Sequence, residues 1–137
     1  VPVIKSNQHI GFRHHLSMTL AVGDIVLAIM YLFPGILTPA RPTTTLIVLE
    51  LARVGPIWTI TFGLAGIAVI AGLSVHKLLH VAHAATGSAW VGFVFALILS
   101  AVANHGTFLL PAVCAVVAAV NFVLAVAYSH DVGREEP

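Results

Sequence analysis

Two kinds of residue in this 137-residue chain are equipped for proton or metal chemistry: one acidic side chain, Asp24, inside a long apolar run, and a set of eight histidines. Asp24 stands about seven residues into the run that begins near Leu16, on the order of 10 Å below its boundary. An ionisable group that deep in lipid is costly, and by default it marks a functional site. Asn121 lies at a matching depth in the last apolar run. The two are therefore expected to meet, the Asp24 carboxyl hydrogen-bonded to the Asn121 amide. Such a pair serves either as polar glue that fixes helix register or as a place where a proton or cation binds.

His76, His80 and His83 follow i, i+4, i+7 spacing and are expected on one helical face at the end of the second apolar run. Two histidines at i, i+4 can grip one ion. All three cannot, because about 10 Å of axial rise separates His76 from His83. A zinc or copper site there needs ligands from elsewhere, such as His14, His15 or Asp131. Haem ligation needs two histidines from different spans at one depth, and no histidine is expected deep within a span. The plainer reading is an interfacial, partly charged band facing anionic headgroups, with no resident cofactor.

Other chemistry has little to work with. The five carboxylates, Asp24, Glu50, Asp131, Glu135 and Glu136, are scattered. Ser74 and His76 are i, i+2 neighbours and do not face each other on a helix. Cys114 is the only cysteine and lies in an apolar run, where an inert, buried thiol is expected. The reading is non-enzymatic.

These residues must be positioned by transmembrane helices. The chain is 59% hydrophobic and 8% charged, against about 25% charged for a soluble domain. A net charge of +1 gives no field to recruit nucleic acid. Spans need about 20 apolar residues, and four stretches qualify: about 16–37, 54–75, 85–103 and 108–128. The fold expected is an all-α, integral membrane four-helix bundle forming a single domain over 1–137. The first connection opens with Thr38-Pro39-Ala40-Arg41-Pro42, which breaks the helix. About 43–53 then reads as a short interfacial helix, with Leu46, Leu49 and Val54 near one face and Glu50 and Arg53 nearer the other. Val1 to Arg13 reads as a polar segment without signal-peptide character, and Trp58 and Trp90 as interfacial anchors.

The third span carries a four-residue ladder of small residues, Ser88, Gly92, Ala96 and Ser100, expected to form one helix-packing stripe. Four of the six Lys/Arg residues, Lys5, Arg13, Lys77 and Arg134, fall on one side, and Arg41 and Arg53 on the other. That bias places both termini in the cytoplasm, in a bacterial inner membrane.

The stretch Leu16–Arg53, with Gly23-Asp24, Phe33-Pro34-Gly35 and the Thr-Pro-Ala-Arg-Pro turn, resembles small four-span membrane proteins of actinobacterial viruses. The Ala/Val-rich, lysine-poor composition fits a high-GC genome, and the likeness covers the span layout across most of the chain. The resemblance implies a viral membrane component acting on the host envelope, and it transfers no catalytic residue. Four roles follow from these readings. The first is a scaffold or accessory subunit, homo-oligomeric or part of a larger membrane assembly. The second is a holin-like pore-former. The third is a proton- or metal-coupled transporter using Asp24 and the histidine band. The fourth is a redox subunit holding haem.

Overall fold

The computed structural model describes residues 3–33, 48, 50, 51 and 56–135. Those residues form four long helices and no strand: α1 (Val3–Leu32), α2 (Ile57–Ser74), α3 (His76–Ala103) and α4 (Leu109–Glu135). Each contains a segment long and apolar enough to cross a bilayer. Their outward faces carry large apolar side chains, among them Ile29, Leu64, Phe95 and Val123. Exposed apolar surface on every helix suits lipid and not water. The chain is a multi-pass membrane protein, a four-helix bundle with its outer surface against the bilayer.

Each helix packs chiefly on the next one in sequence. Close backbone approach makes this possible. A Cβ built on Gly66 of α2 would stand 2.8 Å from the Ala21 carbonyl oxygen and 2.7 Å from Ile25 Cγ1, both on α1. One on Gly72 would stand 3.1 Å from the Leu79 Cα of α3. Small residues at these crossings replace the hydrophobic drive that lipid does not supply.

The junctions explain where helices end. Val75 alone separates α2 from α3. It is extended, at φ −124° and ψ 81°, and its N–H bonds back to Ala71 and Gly72 while its own carbonyl receives the Leu78 N–H. At the end of α3, His105 takes the left-handed conformation at φ 51°. The Gly106 N–H then reaches the Ala101 carbonyl at 2.8 Å, the Schellman closure of a helix C-terminus. Pro111 falls in the first turn of α4, where a missing N–H costs nothing.

These boundaries shift several expectations. Helix α1 begins at Val3, so the segment before Leu16 continues the first helix. Helix α3 begins at His76, nine residues before the expected 85. The break at Val75 moves His76, His80 and His83 from the end of the second helix to the first turns of the third. Most of the expected interfacial helix at 43–53 lies outside the described residues. Within it Val48, Glu50 and Leu51 are helical, and the buried Val48 carbonyl accepts from Trp58 Nε1 at 3.0 Å.

Candidate functional site

Helices α1 and α3 run parallel and in register: Ser17 bonds His83, and seven residues further along each helix Asp24 bonds Trp90. Apart from Ser100, the buried polar residues of the interior collect along this seam. Ser17, Asp24, His83, Thr86 and Asn121 are all buried, each at 1% exposure or less.

His83 is the centre. Its Nε2 lies 2.8 Å from Ser17 Oγ on α1, and its Nδ1 lies 2.9 Å from Asn121 Oδ1 on α4. Asn121 Nδ2 donates to the Val117 carbonyl one turn back on its own helix, which turns Oδ1 toward the imidazole. An amide oxygen only accepts, so Nδ1 carries the proton. In the neutral ring Nε2 then accepts from Ser17 Oγ–H. Ser17 Oγ in turn lies 3.2 Å from the Tyr128 hydroxyl, which is left to donate to it. Tyr128 also stacks flat on the imidazole, with centroids 5.7 Å apart and planes 6° apart.

The chain reaches the end of the bundle through Arg13. Its guanidinium sits 5.5 Å from the Tyr128 ring centroid and forms a 2.9 Å ion pair with Asp131. The same Nη1 approaches the Ala127 carbonyl at 3.5 Å. Both charged partners are partly exposed, at 25% and 44%.

Toward the middle of the bundle lies Asp24. Its Oδ1 accepts from Trp90 Nε1 at 2.9 Å, while its Oδ2 is buried without a partner. Thr86 Oγ1 is buried without a partner as well. Beyond Asp24 the interior turns aromatic. Trp58, Phe62, Trp90 and Phe93 form one cluster, with Trp58–Phe93 and Phe62–Trp90 centroids each at 4.9 Å and Phe62–Phe93 at 5.2 Å. Most of these contacts are edge-to-face or tilted, the packing aromatic rings prefer. The polar seam thus leads to the partly exposed Arg13–Asp131 pair at one end of the bundle and meets aromatic rings at the other.

The structure corrects the expected Asp24–Asn121 bond. Both residues are buried, but Asp24 is held by Trp90 and Asn121 by His83. The long α3 places an indole and an imidazole between α1 and α4, and these take the two polar groups. Trp58 and Trp90 are core residues, at 7% and 9% exposure, and not interfacial anchors. His83 lies inside a span, where no histidine was expected. The three ladder histidines do not converge. His76 is exposed, His80 is half-buried, and both ring nitrogens of His83 are engaged. Among the described residues no group of three His, Cys, Asp or Glu side chains is arranged to hold a metal.

The small-residue ladder divides. Ala96 and Ser100 are buried, while Ser88 and Gly92 face outward, with nothing within 4 Å of a Cβ on Gly92. Each four-residue step advances about 40° beyond a full turn, so the ladder winds off the buried face. Cys114 is buried at 6% exposure.

No protein-family model, curated protein or solved structure matches the chain.

Proposed function

We propose that the chain is a non-enzymatic, proton-coupled membrane protein, which takes protons from the face holding the Arg13–Asp131 pair and carries them inward to Asp24. The observation that carries this reading is His83, a fully buried imidazole bonded on both nitrogens to side chains of two other helices. Two ionisable groups held in the interior of so short a bundle are a costly arrangement for a scaffold alone.

The hydrogen bonds supply a working direction. With His83 neutral, Tyr128 donates to Ser17 and Ser17 donates to Nε2. A proton delivered to the Tyr128 oxygen moves inward by shifts along these bonds. Tyr128 passes its own hydroxyl proton to Ser17, Ser17 passes its proton to Nε2, and His83 becomes imidazolium. Each hydroxyl ends with one proton, and the polarity of the chain is reversed. The aromatic cluster beyond Asp24 separates this uptake path from the opposite face, and it must part for a proton to cross, so passage through the bundle is slow and gated.

The test is proton flux into liposomes loaded with a pH indicator, under an imposed potential. Wild type is expected to acidify them faster than protein-free liposomes acidify, and Ser17→Ala to remove the difference. Equal rates for wild type and protein-free liposomes would sink the proton reading. Leak of larger ions beside protons would favour the holin-like reading.

A second reading, an accessory subunit of a larger membrane assembly in a bacterial inner membrane, draws support from one feature. Helix α3 turns Ser88 and Gly92 toward lipid with open space before them, a surface that a partner helix can approach closely. Copurification of a partner lost in Gly92→Leu supports this second reading.

A further inference from the structure

We infer that Asp24 Oδ2 and Thr86 Oγ1 together hold water inside the bundle, and that this water joins Asp24 to the His83 network. The role of the water rests on the proton reading above. The water site itself rests on packing and hydrogen-bonding capacity.

Buried polar atoms in native proteins are almost always paired, with protein groups or with ordered water. Asp24 and Thr86 are buried to 1% and 0% exposure, and each carries an oxygen with no protein partner. The two belong to one neighbourhood. Thr86 stands three residues after His83 and four before Trp90 on α3, so all three share a face. Trp90 is bonded to Asp24, and α1 and α3 run parallel. Side chains on a helix lean toward its N-terminus. The Asp24 carboxyl and the Trp90 indole therefore both lean back toward the level of Thr86.

The donor set selects the occupant. One carboxylate oxygen and one hydroxyl, with an indole N–H beside them, fall well short of the roughly six oxygens a dehydrated divalent cation takes. They suit water, which needs two to four polar partners. The ionisable side chains of the same polar seam are Asp24 itself, His83 from α3 and, stacked on His83, Tyr128 from α4. Helix α2 contributes none, since its sequence contains no ionisable side chain. In the proton relay Ser17 turns its hydroxyl proton from Tyr128 to the water and regains one from His83 Nε2, while the water gives one of its own to Asp24 Oδ2; His83 returns to neutral, and Ser17 and the water end unchanged.

The experiment is infrared spectroscopy of the full chain in lipid vesicles after transfer to heavy water, at a pH low enough to protonate the Asp24 carboxyl, whose band is identified by difference against Asp24→Asn. Histidine side-chain NMR on the same samples follows His83. Wild type should exchange at both groups. Thr86→Val should slow exchange at Asp24 at least tenfold and leave His83 unaffected, and Thr86→Ser should restore it. Wild-type rates in Thr86→Val would overturn the water link. Exchange at His83 with none at Asp24 in wild type would overturn the link alone. No exchange at either group in a folded bundle would overturn both the link and the proton reading. Stability gives a second readout. Removing a dry, unpartnered hydroxyl stabilises a core, whereas removing a hydrated one does not. A more stable Thr86→Val bundle would therefore also overturn the site.

Discussion

Trp90 Nε1 donates to Asp24 Oδ1 at 2.9 Å, and this bond ties the third helix to the first in the middle of the bundle. It also belongs to two systems at once, because the indole is part of the aromatic cluster. A double-mutant cycle with Asp24→Leu and Trp90→Phe, read by reversible unfolding in mixed micelles, should give a coupling energy of about 1 kcal/mol. The same cycle with Asp24→Leu and Asn121→Leu should give a value near zero. The reverse ranking would mean that Asp24 bonds Asn121 after all.

Asn121 sets the tautomer of His83. Nitrogen NMR of labelled histidine should find the wild-type ring protonated at Nδ1. In Asn121→Leu the Nδ1 acceptor is gone, and the Nε2–H form should gain population by donating to Ser17. An Nε2–H ring in wild type would reverse the inferred direction of the chain.

Glycines of the bundle should separate into two classes. Gly66→Ala places a methyl 2.8 Å from a backbone oxygen, and overpacking of this kind costs about 1–3 kcal/mol. Nothing lies within 4 Å of a Cβ on Gly23 or Gly92. Alanine there should be neutral or stabilising by up to about 1 kcal/mol through helix propensity. Equal effects at Gly66 and Gly23 would contradict the close crossing of α1 and α2.

The Arg13–Asp131 pair is partly exposed. Arg13→Gln should therefore lower stability by less than about 1 kcal/mol, and high salt should mask the change. The effect on proton entry should be larger than the effect on stability, since Arg13 also covers the Tyr128 ring. Liposome flux and unfolding measured on one preparation separate the two.

The bundle itself was legible from composition, because four long apolar runs in a chain 8% charged leave few other folds. Asp24 and Asn121 were legible as buried polar residues by depth alone. Their partners were not, since depth along a span does not say which helix lies across the interior. His83 shows the physical reason most clearly. Starting the third helix at 85 leaves His83 in a connection. Starting it at His76 puts Leu79, His83, Thr86, Trp90, Phe93 and Leu97 at steps of three and four, a single buried face. The boundary at Val75 carries no Gly or Pro of its own, so no breaker residue announces it. The small-residue ladder misled for a related reason. A strict four-residue period is not the period of a straight helix, and the face it marks drifts out of the core.

The one-residue joint at Val75 has a mechanical consequence. Helices α2 and α3 are limbs of a pair of tongs, with the fulcrum at the histidine-bearing end. Gly72 and Leu79 sit beside that fulcrum, in tight contact. Trp58 sits near the far tip, about 25 Å away along α2. A rotation of about 10° at the joint moves the tip by about 4 Å and the fulcrum contacts by less than about 1 Å. That is close to the 4.9 Å spacing of the Trp58–Phe93 rings. Such leverage would move the aromatic end of α3 about twice as far as the His83 level, which lies about 12 Å from the joint.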